Sequence, residues 1–192
     1  MIAAPLGDVV TERLRLARFR TGDDAVLAPV FAEPRVWEFP YGRGMSAEWT
    51  TAFVARATEH WERFGFGLWV ARTLSEPQAI GYLGLSMPSF LSGLIGAERM
   101  PAVEVGWRLH PEHWGRGYAT EGAVAALREA FMTLRLGEVC SAPQSINSAS
   151  AAVARRIGMH RERTATLAAT QARGAVEVDL YWMTREQWLT RR

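Results

Sequence analysis

Short runs of alternating hydrophobic and polar residues along the chain predict a series of β-strands. The runs are rich in Val, Leu, Trp and Tyr, which favour extended backbone. Two of them are joined by Ser75-Glu76-Pro77-Gln78, a connection typical of a hairpin. The predicted strands cover residues 11–19, 68–72, 79–85, 103–109, 139–142 and 176–184.

Apolar residues spaced three and four positions apart predict helices between these strands. Ser46 is expected to cap a helix over 47–64, and Thr21 a shorter helix that runs to about Phe31. Further helices are predicted over 120–136 and 149–157, with a helical turn over 186–189. On the helix over 47–64, one face carries the aromatic and small side chains of Trp49, Phe53, Ala57 and Trp61.

This order of elements, with consecutive strands in the middle and one strand–helix–strand crossover, predicts an α+β domain on a mixed sheet. A length of 192 residues fits a single domain spanning 1–192. Two loops stand out because of their apolar content, an aromatic one over 37–44 and an irregular one over 86–101.

Every one of the 22 basic residues is Arg, which excludes chemistry that depends on a lysine, such as a Schiff base or a phosphate-loop lysine. A coding bias that replaces Lys by Arg explains this composition more simply than a function does. The single Cys140 excludes a disulfide framework and a cysteine-only zinc site. Since no His, Cys and carboxylate residues have metal-ligand spacing, we expect no metal.

The distribution of charge and hydropathy also limits the partners. A net charge of +2 without a basic block argues against nucleic-acid binding. No run approaches 18 consecutive apolar residues, so no association with a membrane is expected. The first ten residues lack the features of a signal peptide, and a cytoplasmic location is therefore expected.

The most informative segment runs from Val103 to Glu121, where a strand leads through His110-Pro111 into a glycine turn and then directly into a helix. Glycines allow the backbone to approach a ligand closely, and a helix N-terminus offers unpaired N–H groups and a positive dipole. Together these features suit a phosphate or pyrophosphate. The spacing alone is equally compatible with a turn that only connects strand and helix.

The residues Val-Glu-Val-Gly-Trp-Arg-Leu-His-Pro-Glu-His-Trp-Gly-Arg-Gly-Tyr-Ala-Thr-Glu at 103–121 closely resemble the GNAT superfamily of acetyl-CoA-dependent N-acetyltransferases. The likeness is greatest to the branch that includes the ribosomal-protein N-terminal acetyltransferases. The family's pyrophosphate motif, Gln/Arg-x-x-Gly-x-Gly/Ala, matches 114–119, with Trp114 departing from the usual first residue. Weaker matches at 11–16, 147–159 and 179–183 extend the resemblance over roughly residues 10–188.

This resemblance implies a mixed, mostly antiparallel central sheet with helices on both faces. It also implies a splay between the fourth and fifth strands, which admits the pantetheine arm of acetyl-CoA. Backbone amides of about 115–120 would hold the pyrophosphate. The coenzyme-binding residues implied in this way are Trp107, Arg108, Leu109, Trp114, Gly115, Arg116, Gly117, Tyr118, Ala119, Thr120, Asn147 and Ser150.

Attack of an amine on a thioester needs a base, a donor for the oxyanion and a donor for the departing thiolate. The resemblance makes Glu104 the first choice as base, although a strand residue that pairs with an Arg is an equally good reading. It places the acetyl carbonyl against the backbone amide of Leu109 or its neighbour. Many members use a Tyr as acid where this chain has Ala154, so Ser150 is the remaining candidate donor to sulfur, unless it only caps its helix.

The aromatic loop and the 86–101 loop are expected to form the acceptor side, through Trp37, Phe39, Tyr41, Met87 and Phe90, unless these side chains only cover the core. The predicted function is acetyl transfer to a primary amine of a peptide N-terminus or small molecule, in a ternary complex. A non-catalytic acyl-CoA-binding or regulatory module of the same fold is the alternative. The expected partners are acetyl-CoA and the amine, with the protein a monomer or homodimer.

Overall fold

In the computed structural model, which describes residues 5–191, eight strands form one continuous sheet in the order β1-β2-β3-β4-β5-β6-β8-β7. All neighbouring strands are antiparallel except β5 and β6, which are parallel. The strands are β1 Val9–Val10, β2 Leu14–Arg18, β3 Leu68–Thr73, β4 Ala79–Ser86, β5 Glu104–Leu109, β6 Glu138–Ser141, β7 His160–Leu167 and β8 Val176–Thr184.

The predicted α+β class is confirmed. The helices lie between the strands as the sequence indicated, apart from one short helical turn within the predicted aromatic loop, 37–44. They are α1 Asp23–Ala32, α2 Glu38–Tyr41, α3 Ala47–Phe64, α4 Tyr118–Arg128, α5 Ser148–Arg156 and α6 Arg185–Thr190. Short 3₁₀ turns occupy Pro34–Trp37, Ser89–Gly93, Ala97–Arg99 and Pro111–His113, and α4 continues into a π-helical turn, Glu129–Thr133. The mixed, mostly antiparallel sheet is thus also confirmed.

Three local predictions were wrong. β7 was not predicted, because it lies at the edge of the sheet and its first five residues are all exposed, so that it shows no hydrophobic alternation. Gly22, not Thr21, is the N-cap of α1, with a left-handed φ of 96° and no side-chain cap. Helix α4 begins at Tyr118, two residues before the predicted start, because the glycine turn leads directly into it.

Helix α3 has the predicted bounds, and Ser46 caps it by accepting a hydrogen bond from the Trp49 N–H at 3.2 Å. Its buried face differs from the prediction in part. Ala57 and Trp61 are buried as expected, whereas Thr50 and Val54 take the remaining buried positions. Trp49 and Phe53 are half-buried, because they project sideways into an aromatic cluster next to the sheet.

The hydrophobic core consists of two clusters on different parts of the sheet. The larger contains β2 to β5 and the helices packed on them. In the smaller, Leu91, Leu94 and Ile95 of the 86–101 loop pack against β6 and β8 through Cys140, Leu180 and Trp182. The loop is therefore a packed structure despite its irregular sequence.

Arg99 holds this loop to the edge of the sheet. Its guanidinium lies 2.7 Å from the Glu162 carboxylate and 3.4 Å from that of Glu138, and it stacks 4.1 Å from the centre of the Trp182 ring. Ion pairs of this exposure contribute little singly, but here three contacts converge on one side chain. The loop thus has defined side-chain contacts with β6, β7 and β8.

His60 of α3 connects the helix to the beginning of the same loop. Its Nδ1 lies 2.8 Å from the Phe66 carbonyl oxygen, and its Nε2 lies 3.2 Å from the Met87 nitrogen. Only neutral imidazole satisfies both contacts, because Nδ1 must carry a proton and Nε2 must accept one. Burial lowers the pKa of His60, and the nearby Arg63 lowers it further.

We expect this histidine to make the protein less stable in acid. A base whose pKa is lower in the folded state favours folding above its unfolded value of about 6.5, and this contribution is lost as the pH falls below that value. Thermal unfolding between pH 8 and pH 5 should show a larger drop in Tm for the wild type than for His60→Gln, since Gln can donate and accept without titrating. His160→Gln, an exposed histidine, is the control. An equal drop in all three proteins would contradict the prediction.

None of the helices formed by residues 5–191 combines the length and the apolar character needed to cross a membrane.

Candidate active site

The sheet opens between β5 and β6. These strands correspond to the fourth and fifth predicted strands and share a single register pair, Glu104 with Cys140. The Cys140 N–H donates to the Val103 carbonyl at 2.9 Å, and no further pair joins the strands within the described chain. Neighbouring strands normally remain hydrogen-bonded along their length. Because the pairing of β5 and β6 ends after one register pair, the two strands diverge and form the predicted splay.

Glu104 lies at the point where the two strands part. Its Oε1 accepts a hydrogen bond from the Ala142 N–H at 3.3 Å across the gap. Burial raises the pKa of this carboxyl to about 7, against the opposing effects of the Ala142 N–H and the charge of Arg108. A carboxyl with this pKa can both take up and release a proton near neutral pH, which is what a general base requires.

Cys140, the register partner of Glu104, is not a second reactive group. Its side chain is fully buried, its Sγ lies 3.5 Å from the Val103 carbonyl oxygen, and burial raises the pKa of the thiol. It is a small core residue, as the sequence indicated.

After β5, the 3₁₀ turn Pro111–His113 leads into two glycines with left-handed backbone, Gly115 with φ 72° and Gly117 with φ 82°. Gly117 is the N-cap of α4 and no side chain caps the helix, so the first N–H groups of α4 have no side-chain partner. A Cβ on Gly115 would meet no atom within 4 Å. Open space in front of unpaired amides fits a pyrophosphate well.

Arg13, which lies between β1 and β2, forms hydrogen bonds to the glycine turn and to the helix that follows it. Its Nη1 donates to the Arg116 carbonyl at 2.9 Å, while its Nε lies 2.7 Å from Oε2 of Glu121 in α4. Glu121 also accepts from the Arg13 N–H at 2.7 Å and from the Thr11 hydroxyl at 2.6 Å. The guanidinium stacks 5.0 Å from the centre of the Tyr118 ring. We call these four residues, Thr11, Arg13, Tyr118 and Glu121, the Arg13 clamp.

We expect the clamp to keep the turn ready to bind the coenzyme. Glu121→Gln removes the charge that holds Arg13, so the KM for acetyl-CoA should rise about 3- to 10-fold. This is less than the loss of a full charged hydrogen bond, because Glu121 acts on the turn only through Arg13. The KM for the acceptor should not change. Exposed Glu186→Gln, in α6, controls for the removal of a carboxylate. If the variant instead changed the acceptor KM alone, the clamp would not act on the turn.

The remaining predicted coenzyme residues surround this turn and the splay. Trp114 is exposed on one side and donates its indole N–H to the Leu109 carbonyl at 2.7 Å, which ties the turn to the end of β5. Arg116 is exposed, whereas Trp107, Tyr118, Ala119 and Thr120 are half-buried. Their contacts with a coenzyme stay predictions.

On the opposite side of the splay, Asn147 is the N-cap of α5 and accepts the Ser150 N–H at 3.0 Å. Asn147, not Ser150, therefore caps this helix, and the Ser150 hydroxyl has no hydrogen-bond partner among residues 5–191. Ala154 is buried one turn later and offers no proton donor. The position that many relatives fill with a Tyr is thus a packing position here.

Aromatic side chains form the wall next to β4 and β5. Trp37 lies in the middle of this aromatic cluster, with ring centres 4.7 Å from Trp49, 6.0 Å from Tyr41 and 6.1 Å from Phe53. Trp37 is buried, whereas Tyr41 and Phe39 are half-buried. The structure thus brings together Trp37 and Tyr41 of the predicted acceptor residues, and Phe39 lies between them in the chain.

The other two predicted acceptor residues lie on the 86–101 loop. Met87 packs on the larger core cluster and Phe90 on the smaller one. They thus pack on different parts of the core, and their role toward an acceptor stays a prediction. Tyr82, which the sequence-based prediction missed, completes the aromatic cluster. It pairs with Arg108 across β4 and β5 and could have been recognised from the strand alternation.

Glu104, Gly106 and Arg108 lie at alternate positions of β5 and therefore share one face of the sheet. A Cβ on Gly106 would meet nothing within 4 Å, so the surface between the two charged side chains is open. Sequence alone assigned Arg108 only to coenzyme binding. Its side chain lies against the aromatic cluster, with its guanidinium 4.0 Å from the centre of the Trp37 ring.

Of the histidines near the turn, His110 has a local partner, whereas Nδ1 of His113 is buried without a hydrogen-bond partner among residues 5–191. His110 Nδ1 lies 3.8 Å from the Glu112 carboxylate, and burial lowers the pKa of His113. Within residues 5–191, no group of three or more His, Cys, Asp or Glu side chains is placed to hold a metal ion.

Comparison with known proteins gives a consistent result. The family model of the acetyltransferase (GNAT) domain matches residues 13–160. Over 157 residues the chain is 29% identical to YkkB of Bacillus subtilis, a match of 81% of this chain and 87% of that protein. It is 37% identical over 127 residues to the FsC-acetyl coenzyme A-N(2)-transacetylase of Aspergillus fumigatus. This match covers 65% of the chain but 53% of the fungal protein, about half its length.

Solved structures agree with this match. An acetyltransferase from Agrobacterium tumefaciens is 29% identical with a TM-score of 0.71, over 93% of this chain and 94% of that one. A ribosomal-protein-S5-alanine acetyltransferase from Vibrio fischeri has a TM-score of 0.73 over 94% of this chain and 98% of its own. At 18% identity, the latter likeness concerns the fold alone.

Proposed function

Because the chain belongs to the GNAT family of acetyltransferases, we propose that it transfers the acetyl group of acetyl-CoA directly to a primary amine in a ternary complex. The family supplies the reaction class and implies acetyl-CoA as donor. The amine acceptor, the direct attack and the roles of individual residues are our proposal for this chain. The fungal relative, whose name is that of an N(2)-transacetylase, supports an amine acceptor.

The position of Glu104 carries this proposal. A carboxyl with a pKa of about 7 lies at the point where the sheet opens, on the same strand face as Arg108, which contacts the aromatic cluster. An amine arrives at neutral pH mostly protonated and must lose a proton before it can attack a carbonyl carbon. Glu104 in its ionised form accepts that proton, directly or through a water molecule.

In the proposed reaction, the amides of 115–120 hold the pyrophosphate and the pantetheine arm enters between β5 and β6. Glu104 first passes the ammonium proton to solvent. The neutral amine nitrogen then forms a bond to the acetyl carbon, and the second proton that this nitrogen loses passes to Glu104. The oxyanion is stabilised by the backbone amide of Leu109 or its neighbour. The carbon–sulfur bond then breaks, and the thiolate is stabilised by the Ser150 hydroxyl or a water and takes up a proton.

The chain itself offers limited help to the leaving thiolate. Ala154 has no donor, and a serine hydroxyl is a weak acid that can donate a hydrogen bond but transfers a proton poorly. A coenzyme A thiol has a pKa close to that of other thiols, so its thiolate is a tolerable leaving group near neutral pH. Hydrogen bonding without full proton transfer is therefore sufficient.

The test is release of coenzyme A thiol from acetyl-CoA with a panel of primary amines, amino acids and peptide N-termini. We expect thiol release that depends on the amine, together with an acetylated product of matching amount by mass spectrometry. Calorimetry with acetyl-CoA should be run on the same preparation. Tight binding of acetyl-CoA without thiol release for any amine would instead favour the non-catalytic acyl-CoA-binding module.

A further inference from the structure

We propose that the Arg108 guanidinium binds a carboxylate of the acceptor, and that the substrate of this enzyme is an apolar amine with a carboxylate nearby, as in an apolar α-amino acid. This inference rests on the proposed function, because it identifies the class of amine that the same site accepts. It is carried by the partners of Arg108, by its position relative to Glu104 and by the surface between them.

The hydrogen-bond partners of Arg108 are all uncharged. Its Nη1 donates to the carbonyls of Val36 and of Phe39, the latter at 2.9 Å, and its Nε donates to the Tyr82 hydroxyl at 3.3 Å. One face of the guanidinium covers the Trp37 ring. Its Nη2 has no hydrogen-bond partner among the residues that the structure describes.

Arg108 therefore keeps an uncompensated charge in a half-buried position. No carboxylate within residues 5–191 approaches it to 4.0 Å, whereas Arg13, Arg99 and Arg161 each form an ion pair. A charge removed from water is stabilised best by an opposite charge, and the planar guanidinium suits a carboxylate in particular. The described part of the protein therefore supplies no carboxylate to pair with this cation, and a bound ligand can provide one.

The position of this cation matches the position of the proposed base. Glu104 and Arg108 are four residues apart on one strand face, which is about 13 Å between Cα atoms. Arg108 is close enough for its charge to lower the pKa of the Glu104 carboxyl. Gly106, between them, leaves its space open. A small molecule lying on Gly106 can place its amine toward Glu104 and its carboxylate toward Arg108.

The aromatic wall beside this surface indicates the chemical character of the rest of the acceptor. It consists of the rings of the aromatic cluster around Trp37, which favour an apolar body. The indole N–H of Trp37 is buried and has no hydrogen-bond acceptor within the described chain. Because this N–H is buried away from any ligand, the donor left for an acceptor molecule is Nη2 of Arg108, which has no partner among residues 5–191 and which a carboxylate can pair.

The experiment compares acceptors that differ only in the carboxylate. The probes are phenylalanine with 2-phenylethylamine, and leucine with 3-methylbutylamine, each measured by thiol release with acetyl-CoA. We expect the wild type to acetylate each amino acid more efficiently than its decarboxylated partner. In Arg108→Gln, kcat/KM for the amino acids should fall about 10- to 100-fold further than kcat/KM for the plain amines, as expected for the loss of a charged hydrogen bond.

For each acceptor, kcat/KM of the variant is divided by kcat/KM of the wild type. This ratio is independent of the intrinsic reactivity of the amine. Arg108→Lys should recover part of the preference for the amino acids, because it restores the charge without the planar fork. Arg156→Gln, which removes an exposed arginine of α5, is the matched control and should leave both ratios unchanged.

The outcomes separate the two proposals. Absence of thiol release with every acceptor contradicts the proposed function. Thiol release with plain amines that equals or exceeds that with the amino acids in the wild type overturns the role of Arg108 but leaves the proposed function intact. An equal loss for both acceptor types in a folded Arg108→Gln, checked by its Tm, also overturns it, since Arg108 would then only support the Val36 and Phe39 carbonyls. The wild-type comparison stands even if the variant does not fold.

Discussion

Glu104→Gln is expected to lower kcat by about 10²- to 10⁴-fold, the range that general base catalysis typically contributes. Gln keeps the size of the side chain and can still accept the Ala142 N–H, but it cannot take the proton of the amine. Since Glu104 lies on the strand face that carries Gly106 and Arg108 rather than in the glycine turn, acetyl-CoA affinity should be unchanged. Steady-state thiol release and calorimetry with acetyl-CoA measure the two quantities.

The pH profile provides an independent check of the same residue. Only the ionised carboxylate acts as a base, and its pKa is raised to about 7. The kcat of the wild type should therefore rise with pH and level off above about pH 7, whereas a carboxyl with an ordinary pKa would already be ionised well below that. In Glu104→Gln this inflection should be absent.

Glu112→Gln, which removes an exposed carboxylate before the glycine turn, is the control and should retain both kcat and the inflection. If Glu104→Gln kept the wild-type kcat across the pH range, Glu104 would not be the base. It would then be a strand residue whose carboxylate only bridges to Ala142 and lies near Arg108.

Gly117→Val is expected to raise the KM for acetyl-CoA about 10- to 100-fold. Gly117 has a φ of 82°, and a β-branched residue held in such backbone is strained by about 1–3 kcal/mol. A Cβ there would also lie 3.2 Å from Arg13 Nη2 and disturb the Arg13 clamp. The turn would relax to another conformation, and its amides would no longer point at the pyrophosphate.

Gly22→Val is a matched control for this substitution. Gly22 is also a helix N-cap with left-handed backbone, φ 96°, and without a side-chain cap, but it precedes α1. Both variants should lose thermal stability to a similar extent, while only Gly117→Val should lose affinity for acetyl-CoA. A normal KM in a folded Gly117→Val protein would refute the assignment of the turn to the pyrophosphate.

Much of the fold could be predicted from the sequence, because the features that indicate these strands and helices involve residues close together in the chain. The hydrophobic alternation of β4 and β5, the Ser46 cap and the glycines before α4 each depend on neighbouring residues in the chain. The edge strand β7 could not be predicted, since its exposed first half, His-Arg-Glu-Arg-Thr, has no buried face to produce alternation. The start of α1 was misplaced for a related reason, because Gly22 leaves no side-chain signal of a cap.

The candidate site divides in the same way. Glu104 and the glycine turn were recognisable from the sequence through their resemblance to a family and their place between strand and helix. The Arg13 clamp was not, because Arg13 and Glu121 are separated by 108 positions in the chain and meet only when β2 and α4 pack together. The pKa of Glu104 is likewise a property of its surroundings, since burial at the splay, not the residue type, raises it.

Local sequence patterns were thus sufficient to identify the family, most of its elements and the turn that we expect to bind the coenzyme, because backbone conformation depends mainly on nearby residues. Packing was needed to show that Arg108 contacts Trp37, Val36, Phe39 and Tyr82 and that Gly106 leaves open space beside it. These contacts join segments that are distant in the chain, and desolvation and charge compensation depend on every group that surrounds a side chain. For that reason, the chemistry of the acceptor side became visible only in the folded protein.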